Sequence, residues 1–525
     1  MNETGATDGA VAQRVANQAV QFYIPATTSL LERRPRTLKH GNTFAVLDHY
    51  GDIIAGEGSP EGLFHDDTRH LSRLELRIND RRPLLLSSTI QDNNVVLTVD
   101  LTNPDFFVDG HLRLERDTLH IVRSKFLWQG ACYERLAVHN FDTRGHRLRL
   151  GLIFAADFAD LFEVRGHTRP RRGRHWIEVQ SPDTVVLHYQ GLDRIERRTT
   201  LRFAPDPVAL DEEAAAFELD LKPGQRSAVF VTINCTRRQV LPPRKTFFVS
   251  LKEARRALRA ATSGAASVET SNQIFNEILC RAMADLYMLI AETPQGPYPY
   301  AGIPWFSTAF GRDGIIAAIE MLWIDPGIAK GVLRFLATHQ ARTENPASDA
   351  EPGKILHEMR RGEMARLGEV PFAQYYGAVD STPLFVLLAG LYYERTGDLE
   401  TIRALWPHIE AALAWIDTCG DLDGDGFVEY RRKSDLGLIN QGWKDSHDSV
   451  FHADGRLAEG PIALCEVQGY VYAAKRHAAR LARVLGLPAS ATTLEQQAAS
   501  LKERFEAAFW CEDIGTYALA LDGAK

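Results

Sequence analysis

Few cysteines, no long apolar run and no surplus of positive charge narrow the reading of this 525-residue chain before any motif is considered. The six cysteines, Cys132, Cys235, Cys280, Cys419, Cys465 and Cys511, lie far apart with no CxxC pair. Neither a disulfide framework nor a zinc site is expected, and a reducing compartment fits better. No stretch approaches 18 uninterrupted apolar residues, and the longest run, Pro383 to Tyr393, has the length of a core helix, so no membrane span is expected. The first residues, MNETGATDGAVAQRVANQ, carry early acids and no apolar h-region, unlike a secretory signal. A net charge of −8 argues against nucleic acid or an anionic membrane as the main partner and is compatible with a neutral one such as a sugar. P-loop, GxSxG and dinucleotide fingerprints are missing. The expectation is a soluble, cytoplasmic protein with no cofactor, no metal, and no nucleic-acid or membrane partner.

What is there divides into three textures. Residues 1–19 are small and polar and read as a disordered tail. From 20 to 250, short alternating runs such as LSRLELRIND, HRLRLGLIFAADF and SAVFVTINC are separated by turn residues, the pattern of an antiparallel β-sandwich. From 251 to 525 helical periodicity takes over. Asp380–Thr396 reads as a helix closed by Gly397, Leu399–Ile416 and Glu466–Leu485 as two more, and Thr492 with Glu495 as a capping box. Ile274, Ile278, Ala282, Leu286 and Ile290 form a stripe at helical spacing. Helix pairs joined by loops rich in aromatic and charged residues predict an (α/α)6 six-hairpin toroid. A full toroid needs roughly 350–400 residues at ordinary helix and loop lengths. About 275 follow residue 250, so the toroid is expected to be truncated at its C-terminal end.

Several clusters could carry chemistry. GLINQGWKDSHDSV (437–450) combines Trp443 with Asp445, Asp448, Asn440, Gln441 and Lys444. A flat ring packs on a sugar face, planar amides and carboxylates hold hydroxyls, and a carboxylic acid can protonate a glycosidic oxygen. A solvated loop explains the same residues equally well. GIPWFSTAFGRDG (302–314) holds Trp305, Arg312 and Asp313, where Asp313 either binds hydroxyls or caps a helix starting near Gly314. Tyr376 and Asp380 in PFAQYYGAVDST precede a helix, and capping is the plainer role for Asp380. His357-Glu358 lacks the second histidine of a zincin, because position 361 is arginine. DLDGDGFVEY opens like a calcium loop but has Arg432 where the bidentate glutamate belongs. His65 and His70 in GLFHDDTRHLSRLEL fit turn structure and salt bridges better than a metal site.

Taken together, EGLFHDDTRHLSRLELRINDRRPLLLSS resembles the N-terminal domain of bacterial glycogen-debranching-type proteins. PWFSTAFGRDGIIAAIEMLW, PGKILHEMR, YYGAVDSTPLF, DGDGFVEY and GLINQGWKDSHDSV look like the amylo-α-1,6-glucosidase and mannosylglycerate-hydrolase-like glycosidases. The resemblance implies an inverting hydrolase of α-glucosidic linkages in an oligo- or polysaccharide, with Asp445 as general acid. It implies Trp305, Arg312, Asp313, Tyr376, Asp380, Gln441, Trp443 and Glu466 as sugar-binding residues, and Lys444 turned away from Asp445. The general base is expected beyond residue 525, so the chain alone is expected to be inactive or severely impaired. Hydrolysis of small α-glycosides such as mannosyl- or glucosylglycerate, or carbohydrate binding without catalysis, are the alternatives. The enzymatic reading requires Asp445 to lie beside the 305–313 segment.

Overall fold

A computed structural model describes residues 35–56, 58–237 and 246–523. The tail expected at 1–19 lies outside the described residues.

Alternation builds the first half. In strand Leu119–Trp128 every second side chain from Leu119 is buried, and its neighbour Ala131–Asn140 runs back antiparallel beside it in register. These two are the middle of an eight-stranded antiparallel sheet, flanked by Arg226–Thr236 and Leu97–Thr102. A five-stranded sheet centred on His146–Ala155 faces it. Val99, Leu136 and Val231 from the larger sheet and Leu76, Leu150 and Phe217 from the smaller share one apolar core, which makes the pair a sandwich. Each such fully buried side chain contributes about 1.5–3 kcal/mol. At Ile78–Arg81 a tight turn, with Asn79 and Asp80 both at positive φ, leads the chain from the smaller sheet to the larger. A separate four-stranded sheet, Arg36–His40, Thr43–Leu47, Gly62–His65 and Thr68–Leu71, carries the GLFHDDTRH segment.

That segment is a docking turn. Asp66 and Asp67 sit at its tip, and Asp67 accepts from Arg360 Nη1 (3.1 Å) and from the Arg361 amide (2.7 Å). His65 bonds Thr43 within this sheet, and His70 bonds Thr199 of the eight-stranded sheet, so both imidazoles serve the packing of strands.

The second half is helical, with α1 (Phe247–Thr262), α2 (Gln273–Leu289), α3 (Gly311–Met321), α4 (Pro326–Thr338), α5 (Ser381–Thr396), α6 (Leu399–Asp417), α7 (Cys465–Val484) and α8 (Pro488–Phe509). The pairs α3/α4, α5/α6 and α7/α8 are antiparallel hairpins, and α5 packs between α3 and α7. The apolar run Thr382–Ala389 makes α5 the most enclosed helix. Gly390 lets α7 approach it: a Cβ there would lie 2.4 Å from His477 Cβ. Two helix readings are corrected. Pro488 opens α8 a turn early, so Thr492 and Glu495 lie inside the helix, Thr492 bonding the Pro488 carbonyl and Glu495 pairing with Arg483. The stripe is only partly buried, at Leu286 and Ile290, while Ile274, Ile278 and Ala282 face solvent.

Two long connections, 339–380 and 418–464, lie before the N-termini of α5 and α7. They bring most of the candidate residues to one end of the helical layer.

Candidate active site

The site is assembled at three helix starts. Arg312 and Asp313 occupy the first turn of α3, Asp380 immediately precedes α5, and Glu466 lies in the first turn of α7. The positive end of each helix dipole favours the carboxylates placed there. Asp380 makes no capping bond to its own helix. Its Oδ2 accepts from Arg312 Nη1 at 3.0 Å instead, and its buried Oδ1 receives no hydrogen bond from any described residue.

Arg312 reaches a second carboxylate. Its Nη2 lies 3.4 Å from Asp445 Oδ2, which joins the 437–450 loop to the 302–314 segment as the enzymatic reading requires. Burial disfavours the guanidinium charge, but Asp380 and Asp313 outweigh it and hold Arg312 above its ordinary range. Asp445 is partly exposed, yet burial raises its carboxyl, with Asp313 and Asp380 adding and Arg312 opposing. Burial also raises Glu466, helped by Asp380 and opposed by Lys444 and Arg312. Several acids that share one cation cannot all ionise easily, the condition that keeps a carboxylic acid protonated.

A cavity of about 600 Å³ opens beside Arg312 and Asp313, walled by Tyr300, Leu384, Trp443 and Tyr470. Trp443 is 60% exposed and presents its ring to solvent, as a stacking platform must. Lys444 lies 5.8 Å from that ring centroid.

Other expected residues sit elsewhere. Trp305 is only 9% exposed and packs among Phe44, Val46, Phe64, Leu161 and Val164, so its ring joins the two halves of the molecule and is not free to stack on a sugar. Tyr376 donates from its hydroxyl to the His339 carbonyl (2.7 Å) and lines a second groove of about 1070 Å³ with Arg342, Arg366 and Ser434. Gln441 is buried behind the loop, where its Nε2 donates to Asp349 (3.2 Å) and its main-chain carbonyl accepts from the Val379 amide. The structure therefore gathers Arg312, Asp313, Asp380, Trp443, Asp445 and Glu466, of which Arg312, Asp313 and Trp443 line the cavity, sets Gln441 in support, and places Trp305 and Tyr376 elsewhere. Tyr470 was missed although a signal existed: it follows Glu466 by four residues and so shares its helix face. Asp349 left no local signal, because its partners lie 26 to 92 residues away.

In the turn after α6, carboxylate oxygens of Asp421, Asp423 and Asp425 lie within 4.8 Å of one another. Asp421 accepts from the amides of Gly424 and Gly426, the work of a tight acidic turn. No helix among the described residues is long and apolar enough to cross a membrane, and all six cysteines are free.

Comparison with known proteins agrees with this architecture. Residues 38–232 match the N-terminal domain of (some) glycogen debranching enzymes, and residues 308–522 match the mannosylglycerate hydrolase MGH1-like glycoside hydrolase domain. Among curated proteins no significant sequence match exists. Among solved structures, a protein provisionally described as a kojibiose phosphorylase from the human microbiome aligns with a TM-score of 0.56 at 8% identity, over 92% of this chain and 69% of its own. A bacterial glucoamylase complexed with acarbose aligns with a TM-score of 0.52 at 10% identity, over 90% and 70%. These likenesses carry the fold alone. By its two domain matches the chain joins a debranching-enzyme-type N-terminal domain to an MGH1-like glycoside hydrolase domain.

Proposed function

We propose that the chain is a hydrolase of α-glucosidic linkages, of the amylo-α-1,6-glucosidase kind, in which Asp445 is the general acid of an inverting displacement. The reading rests on one observation: Arg312, which lines a sugar-sized cavity, bridges a buried Asp380 and a partly exposed Asp445. In the proposed reaction the Asp445 carboxyl hands its proton to the glycosidic oxygen as the C–O bond breaks, and the resulting carboxylate falls to the Arg312 guanidinium. Water attacks the opposite face of the sugar, activated by a second carboxylate about 6.5–9.5 Å from the acid. Asp380 holds Arg312 from behind, Asp313 accepts sugar hydroxyls, and the exposed Trp443 ring packs on a pyranose face. Placement of residues 20–250 and 251–525 as sandwich and catalytic domain belongs to the same proposal, as does a cytoplasmic setting.

Hydrolysis of small α-glycosides is the second reading, favoured by a cavity of about 600 Å³, which suits a short ligand better than a long chain. A panel of α-glucosides that includes isomaltose, panose and glucosylglycerate, with anomers followed by NMR, separates the two. β-Glucose appearing first from a branched oligosaccharide is the expected result. α-Glucose appearing first removes the single displacement, and turnover of glucosylglycerate alone favours the second reading. Sugar binding with no turnover leaves a carbohydrate-binding protein.

A further inference from the structure

We infer that Asp349 is the positioning residue that holds the 433–445 loop, and with it Asp445 and Trp443, against the helix starts. The inference rests on the reading of Asp445 as the proton donor. Asp349 follows the one-turn 3-10 helix Pro346–Ser348, has a left-handed backbone (φ 51), and is 1% exposed. One carboxylate oxygen accepts from the amides of Lys433 (2.7 Å) and Ser434 (3.0 Å). The other accepts from the Tyr375 hydroxyl (2.8 Å) and Gln441 Nε2 (3.2 Å). Tyr375 relays the hold, because its hydroxyl accepts in turn from the Leu438 amide at 2.7 Å. Three points of one loop are thus tied to a single buried carboxylate.

Gly437 supports this independently. A Cβ at that position would lie 2.6 Å from the Tyr375 hydroxyl and 2.7 Å from Asp349 Oδ2, so the loop closes on this pair only through a glycine. Charge-assisted hydrogen bonds of this kind are the strong ones, and removing their shared acceptor leaves several buried donors unmet. Asp349 touches no cavity-lining group of the proposed reaction directly. It acts through Gln441, four residues ahead of Asp445, and through Tyr375.

The test compares Asp349→Ala and Asp349→Asn in the full chain, Asn keeping an acceptor for the two amides. Hydrogen exchange at Lys433, Ser434 and Leu438 is expected to quicken at least tenfold in the Ala variant, with protection of α5 retained, and to recover in large part in Asn. Turnover of isomaltose is expected to fall about 100-fold in Ala, mostly in kcat. α-Glucosyl fluoride, whose leaving group needs little protonation, is expected to fall less than about fivefold. Unchanged exchange at the three amides overturns the inference, as does equal loss on both substrates, which marks collapse of the site and not misplacement of an acid. Where the unaltered chain turns over isomaltose and α-glucosyl fluoride equally well, the reading of Asp445 as proton donor fails; in that case, and where it turns over neither, the exchange result alone decides whether Asp349 holds the loop.

Discussion

Arg312 carries opposite obligations at its two ends. Toward Asp380 it neutralises a carboxylate with 2% side-chain exposure, and toward Asp445 it restrains an acid that burial pushes upward. Arg312→Met should therefore do two separable things. It strands Asp380 without its cation, and breaking a buried pair costs about 3–5 kcal/mol, read as a lower urea midpoint. It also removes the group that lowers the Asp445 carboxyl, so the alkaline limb of the pH–rate profile should move to higher pH. The sign follows from the role: a general acid works protonated, so activity is lost as pH rises through its pKa. An alkaline limb that moves down, or stays, dissociates Arg312 from the acid. Asp445→Asn should lower turnover of unactivated glycosides by about 10²–10⁴-fold with binding retained. Trp443→Ala should weaken sugar affinity about tenfold without changing stability, since that ring is mostly exposed. At this scale the sequence was legible where a motif was local, as in GRDG and GWKDS. It misled at Trp305, because a ring that stacks on sugar and one that seals a domain interface look alike in a string of letters.

Element boundaries were legible where punctuation was strong. Gly397, with φ 68, ends α5 where the sequence placed it. Pro488 outweighed the Thr492–Glu495 signature because a proline at the first helical position fixes φ, whereas a capping box can equally be two surface residues on a helix already formed. Packing between helices was not legible at all, and Gly390 shows why: its reason lies 87 positions away, in His477. Gly390→Ala should gain about 1 kcal/mol of helix propensity yet lose more to overlap with His477 Cβ, which is backbone-anchored and cannot rotate aside. The net loss should be about 1–2 kcal/mol by urea denaturation, relieved when His477→Gly is added. An additive double variant would show that α5 and α7 have room to separate.

The two halves of the molecule are joined by buried charge. Arg360, fully enclosed, donates to Glu358 (2.5 Å), to Asp67 (3.1 Å) and to the Trp305 carbonyl, and Tyr189 of the sandwich donates to Glu363 (2.8 Å). Asp160 spans the same junction, its two oxygens accepting from the amides of Phe162 and Met364. Burial raises the Asp160 carboxyl to about 7, with Asp67 and Glu163 adding. A carboxyl whose folded pKa lies above its unfolded value binds protons more tightly in the native state. Its contribution is fully present below about pH 4 and is lost as pH rises through about 7. The difference in stability between the unaltered chain and Asp160→Ala should therefore shrink as pH rises across that window, measured by urea denaturation at matched ionic strength. Other titrating groups cancel in the difference, so a gap that widens with pH would mean that Asp160 is held as a carboxylate by its two amide donors. Because those donors belong to different halves, the same loss should appear in calorimetry as a transition that broadens or splits at the alkaline end and sharpens at the acid end. The interface, unlike the strands and helices it joins, depends on residues more than 170 positions apart, and only the folded chain brings Asp160 to Met364.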